Sequence, residues 1–212
     1  MLVSWTAILG VALIELGMVL TPGPNMIYLV SRSISQGTRA AMIALAGTAV
    51  GFFAYLAAAA LGLATLFAAV PAAFVVVKIA GAIYLAYLAW HMLKPGGRSA
   101  FDPVAIAPVR PLRLFGMGLI TNLLNPKIAV LYAALLPQFI NPAQTIWVQF
   151  LILGGVQIVI GVVVNGLIAA SAGRLSRFLR TRPVAMRLQG WLSGTLLAGF
   201  AVKLAFEKQP AQ

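Results

Sequence analysis

Residues 19–32 read VLTPGPNMIYLVSR, so two prolines, a glycine and an asparagine interrupt an otherwise apolar helix. A matching interruption lies at 120–139, ITNLLNPKIAVLYAALLPQF, where Asn122, Asn125, Pro126 and Lys127 stand in another apolar segment. Proline has no N–H for the helical ladder and blocks the carbonyl one turn earlier. Carbonyls freed in this way inside lipid must find partners or line a wet cavity.

The surrounding composition is that of lipid-embedded protein. Hydrophobic residues make up 62% of the chain and charged residues 8%, against roughly a quarter charged in a soluble domain. This predicts an all-α polytopic membrane protein. One span takes about 20 residues, so 212 residues hold six spans and short loops. We expect a single transmembrane domain over 1–212, with spans near 4–30, 41–69, 73–93, 114–140, 146–173 and 188–206. Cysteine is absent, which excludes disulfides and thiolate metal sites. No Lys or Arg precedes Arg32; a signal peptide needs a positive n-region, so the first apolar segment is expected to remain as a helix.

The net charge of +12 does not call for nucleic acid, because the basic residues sort by loop. Arg32 and Arg39 follow the first span; Lys94, Arg98, Arg110 and Arg113 follow the third; Arg174, Arg177, Arg180, Arg182 and Arg187 follow the fifth. The loops at 70–72 and 141–145 carry none. The positive-inside rule then makes the loops at 31–40, 94–113 and 174–187 cytoplasmic and puts both termini outside. The proline-rich 94–113 loop divides the chain into two groups of three spans, about 4–93 and 114–206. Groups of three face opposite ways, which is the layout of two inverted repeats. The broken helix is the first of each repeat, and paired breaks at corresponding positions point to a transporter binding site.

Pro22, Gly23 and Pro24 should open a turn of the first helix, leaving Asn25 as donor and acceptor at the break. Asn122, Asn125, Pro126 and Lys127 form its counterpart. Together they suit a zwitterion. Lys127 or a helix N-terminus would face a carboxylate, and open carbonyls with asparagine side chains would face an ammonium. The alternative is a pair of proline kinks whose asparagines satisfy stray backbone groups. Glu15 is the one acid inside a span, the others being Asp102 and Glu207. It lies two helical turns before Pro22 on the same face. An ionisable residue at membrane depth marks function by default, and desolvation disfavours the charged carboxylate, which suits a proton carrier. Pairing with Lys127, or a hydrogen bond to a neighbouring helix, is the structural alternative. His91, beside Trp90, reads as an interfacial anchor, and Lys203 as a snorkelling side chain. The spacings Gly47/Gly51 and Gly190/Gly194 permit close helix packing, within the chain or in a homodimer. No metal-ligating cluster, phosphate loop or nucleophile–base pair is visible, so neither an enzyme nor a cofactor is expected.

These residues resemble the LysE/RhtB family of bacterial amino-acid exporters. TPGPNMIYLVSRSISQGTRAAMIALAGTAVG looks like its N-terminal signature, VKIAGAIYLAYLAWHML like its third segment, and GLITNLLNPKIAVLYAALLPQFI like its Asn-Pro-Lys segment. The match runs from about Thr21 to Ile140, and by length and hydropathy beyond. The resemblance implies an inner-membrane carrier that expels amino acids, with the proton gradient as driving force. Pro22, Gly23, Pro24, Asn125, Pro126 and Lys127 fall on family motif positions. Two departures remove carboxylates. Many relatives have Asp where this chain has Asn25, and some carry an acid in the fifth span, where this chain has Gln149, Gln157 and Asn165. Scarce acids favour a neutral substrate such as threonine, homoserine or a branched-chain amino acid. A metal-cation exporter is a competing reading, opposed by the lack of hard oxygen ligands. A non-transporting membrane scaffold is another, and it leaves Glu15, Asn125 and Lys127 unexplained.

Overall fold

The structure, a computed structural model, describes residues 2–63, 71–94, 107–180 and 182–206. Helix α1 covers Trp5–Leu20 and α2 Pro24–Gln36. Helix α3 covers Thr38–Ala58 and runs on through a π-helical turn, Ala59–Leu63. Helix α4 covers Pro71–Leu93 and α5 Pro111–Leu123. Helix α6, Pro126–Val130, continues through a π-helical turn and a 3-10 turn to Phe139. Helices α7, Ile146–Arg180, and α8, Pro183–Phe206, complete the bundle. No strand occurs among the described residues.

Among the described residues two helical stretches, Thr38–Gly62 and Ile146–Arg174, are each long and apolar enough to cross a membrane. The bent pairs α1+α2 and α5+α6 bring the number to four if each pair is one span. Helices α4 and α8 contribute shorter apolar stretches, Ile79–His91 and Gly194–Phe206. The outer faces are those of a chain solvated by lipid. In α1, Leu9, Leu13, Leu16 and Leu20 are exposed at helical spacing, whereas Val11, Ile14, Glu15 and Met18 point inward. Trp5, Trp90, Trp147 and Trp191 are all exposed, as expected of amphipathic rings that settle at the headgroup level.

Both breaks fall at the predicted places, and each has a local cause. Ser4 caps the start of α1 by accepting from the Ala7 N–H at 3.1 Å. At the other end, Thr21 is extended and its hydroxyl donates to the Gly17 carbonyl at 2.6 Å. Pro24 then opens α2 at the first helical position, where a missing N–H does no harm. The two helices meet at 52°. Pro126 likewise opens α6 after Asn125, at 47° to α5. The first span is longer than its expected end near residue 30, because α2 continues to Gln36 and turns into α3 at Gly37, whose φ of 87° suits only glycine.

Helix α3 packs on α5, α4 on α8, and α7 on α1, α2 and α3. The α3–α5 crossing is the closest. A Cβ at Gly47 would overlap the Phe115 carbonyl, and a Cβ at Gly118 would overlap the Ala44 carbonyl. Gly47 and Gly51 are therefore used inside the chain, as is Gly194 against Leu93 and Ala89. Arg32, expected in the first loop, is buried within α2. Its guanidinium donates to Gln36 Oε1 at 3.0 Å and to the Ala107 carbonyl at 3.1 Å, while Gln36 Nε2 donates to the Val109 carbonyl at 3.2 Å. These bonds hold the end of the 94–113 loop against the end of α2. The greater part of that loop, with Arg98 and Asp102, lies outside the described residues. So do Val70 of the neutral second loop and the tail bearing Glu207 and Lys208.

Candidate functional site

Polar side chains lie buried within the apolar bundle. Glu15, Thr21, Asn25, Asn122, Asn125, Lys127, Gln149, Gln157 and Asn165 are all buried, each with 5% or less of its surface exposed. The first break brings α6 to α1. Lys127 Nζ donates to the Met18 carbonyl at 2.7 Å and to the Thr21 carbonyl at 2.8 Å. A helix C-terminus carries a partial negative charge on such carbonyls, so an ammonium is a favourable partner. Gly23 leaves room for it, because a Cβ there would stand 2.9 Å from Nζ. The sequence suggests that Lys127 or a helix N-terminus faces a carboxylate; here the Lys127 ammonium meets the carbonyls at the first break.

Asn125 builds the second break. Its Oδ1 accepts from the Lys127 N–H at 3.1 Å, an N-cap bond that orients the lysine's turn. The carbonyls that Pro126 frees are not left open. The Asn125 N–H reaches the Asn122 carbonyl at 3.0 Å, and the Tyr55 hydroxyl reaches the Leu123 carbonyl at 2.8 Å. Asn122 stands one turn earlier on α5, against Gly51 of α3, where a Cβ would meet its side chain. Pro22 and Gly23 are buried, and Pro24 is partly so.

Glu15 faces the same region from α1. It stands one turn before Met18, whose carbonyl accepts from Lys127, and the Gln157 side chain of α7 faces its carboxyl. Gly161, one turn beyond Gln157, makes space for it, since a Cβ there would lie 2.9 Å from Glu15 Oε1. The Tyr132 hydroxyl donates to Gln157 Oε1, and the Tyr132 ring stacks on Tyr55 with centroids 5.6 Å apart. The other polar residues of α7 serve the backbone. Asn165 Nδ2 donates to the Gly161 carbonyl at 2.7 Å, and Gln149 bonds Asn141 through both its amide atoms.

Several buried polar atoms here have no hydrogen-bond partner: Glu15 Oε2, Asn25 Oδ1, both amide atoms of Asn122, Asn125 Nδ2 and Gln157 Nε2. Leaving one such atom unpaired costs about 1–3 kcal/mol, and folded proteins pair nearly all of them. The set offers both acceptors and donors, the complement of a ligand that carries an ammonium and a carboxylate. Thr21, Tyr132 and Gln157 were not singled out as site residues by sequence. Gln157 had a signal, as an amide in an apolar span. Tyr132 had none, since one aromatic in an apolar helix reads as packing. His91 stands apart, its ring 4.4 Å from that of Tyr87, and Lys203 Nζ lies 5.2 Å over the Phe139 ring. Among the described residues no three of His, Cys, Asp or Glu gather as metal ligands.

The chain has relatives among known proteins. Over 161 residues the chain is 37% identical to a homoserine/homoserine lactone efflux protein of Salmonella typhimurium, covering 76% of this chain and 78% of that one. It is 29% identical over 206 residues to a leucine efflux protein of Salmonella choleraesuis, covering 95% and 93%. An uncharacterized membrane protein of Vibrio cholerae is 30% identical over 190 residues, covering 89% and 91%. No solved structure matches. The family model of the LysE type translocator matches residues 16–208, and the chain belongs to that family.

Proposed function

We propose that this protein is a secondary exporter of amino acids, driven by proton antiport across the bacterial inner membrane. The observation that carries the reading is the pair of helix breaks inside an apolar bundle, with buried polar donors and acceptors left unpaired. Related chains named as homoserine and leucine efflux proteins support the substrate class. A neutral amino acid fits best. Glu15 is the one buried carboxylate among the described residues, so a cationic side chain would find few partners. The same scarcity counts against a metal cation, which prefers several carboxylate oxygens.

In this reading the substrate meets Pro22, Gly23, Pro24, Asn25, Asn122, Asn125, Pro126 and Lys127, and Glu15 carries the exchanged proton. The single domain spans the membrane six times as two inverted repeats, with both termini periplasmic. The packing supports that arrangement. Exchanging the halves maps α1 onto α5, α3 onto α7 and α4 onto α8, and the α3–α5 contact then corresponds to the α7–α1 contact. The bonds from Arg32 and Gln36 to residues 107 and 109 favour the first and third loops on one side. A growth-rescue panel tests the function. Expression should relieve cells of toxic excess of homoserine, threonine or a branched-chain amino acid. Equal sensitivity with and without the protein across neutral, basic and acidic members would remove the reading.

A further inference from the structure

The two carbonyls that close the first break already hold an ammonium group. Lys127 reaches Met18 O and Thr21 O at 2.7 and 2.8 Å from another helix, in a buried position. An amino acid presents the same group, with the same three N–H donors. We propose that the Met18 and Thr21 carbonyls are the subsite for the substrate's α-ammonium, and that Lys127 is a tethered occupant displaced whenever substrate binds. This deepens the exporter reading and rests on it.

Three observations support the exchange. Gly23 has no Cβ where Nζ and Cε lie, so the space that Lys127 vacates beside the carbonyls is open to another small cationic group. Glu15 gives the displaced charge somewhere to go, since it lies one helical turn before Met18 and its Oε2 has no hydrogen-bond partner. The unpaired amide donor on Asn125 is available for the carboxylate that arrives with the ammonium. The lysine thus keeps the carbonyls satisfied in the empty carrier. Its release to Glu15 reports that a primary amine has taken its place. A hydroxy acid of the same shape could not displace it, because it brings no cation.

The test compares purified wild type with Lys127→Met, which keeps the chain length and removes the charge. Thermal unfolding in detergent is followed with L-leucine, L-homoserine, methylammonium and tetramethylammonium. Methylammonium should stabilise the Met variant saturably, at a concentration lower by about ten-fold or more than in wild type, the scale of a charge-assisted hydrogen bond. Tetramethylammonium, which has no N–H, should not. The amino acid that wild type binds should be held as tightly or more tightly by the variant. A Met variant that responds alike to both cations, or that loses amino-acid affinity about ten-fold or more, would overturn the proposal and make Lys127 a carboxylate partner instead. Should Lys127→Met not fold, Lys127→Gln gives the same comparison, with one amide donor left to the carbonyls. If wild type binds neither amino acid, the exporter reading loses these substrates, and the methylammonium arm alone still decides the subsite.

Discussion

Lys127 donates to the carbonyl of Thr21, 106 positions earlier in the chain, at 2.8 Å, and so ties the second helix break to the first. That bond makes two proline interruptions one structure. Replacing Lys127 or Asn125 by Ala should abolish export while the protein still inserts in the membrane. Asn125→Ala also removes the N-cap bond to the Lys127 N–H, which should lower stability by about 1 kcal/mol. Normal export rates in both variants, measured beside membrane-fraction abundance, would reduce the breaks to kinks.

Both breaks, and the residues that make them, are legible from sequence. Proline chemistry fixes where Leu20 and Leu123 end their helices, whereas Arg39, Arg113, Arg174, Arg177, Arg180 and Arg187, expected in loops, lie within helices. What answers the freed carbonyls is not legible. A sequence does not say that Lys127 will cross to Met18, or that Tyr55 will reach Leu123, because those bonds depend on how helices pack. Arg32 misled for a related reason. A positive charge beside an apolar stretch reads as a loop residue, yet long guanidinium side chains can be buried when carbonyls and an amide receive them.

Topology gives a second prediction. Reporter fusions at 31–40, 94–113 and 174–187 should read as cytoplasmic, and fusions at 70–72 and 141–145 as periplasmic. A cytoplasmic signal from 70–72 would break the alternation on which the six-span reading rests.

The α3–α5 crossing gives a third. Gly118→Ala must push its new methyl against the Ala44 carbonyl, whereas a Cβ at Gly116, on the same helix, meets nothing within 4 Å. Thermal unfolding in detergent should show Gly118→Ala destabilised by about 1–3 kcal/mol. Gly116→Ala should be unchanged or stabilised by up to about 1 kcal/mol. Equal behaviour of the two variants would mean that α3 and α5 are not in backbone contact.

Tyr132 supplies a fourth. Tyr132→Phe keeps the ring against Tyr55 but leaves Gln157 Oε1 without its donor. An unsatisfied buried acceptor costs about 1–3 kcal/mol, and the loosened amide faces Glu15. Export should slow several-fold, with the pH dependence altered. An unchanged pH profile would detach Tyr132 and Gln157 from the coupling residue.

The central claim is export coupled to a proton on Glu15, and efflux from loaded proteoliposomes tests it most directly. Vesicles holding radiolabelled L-leucine or L-homoserine are given an imposed pH gradient. Wild type should drive the amino acid uphill, and Glu15→Gln, which keeps size and hydrogen bonding but cannot titrate, should lose uphill export while retaining downhill exchange. Uphill export by Glu15→Gln that still follows the pH gradient would contradict the account.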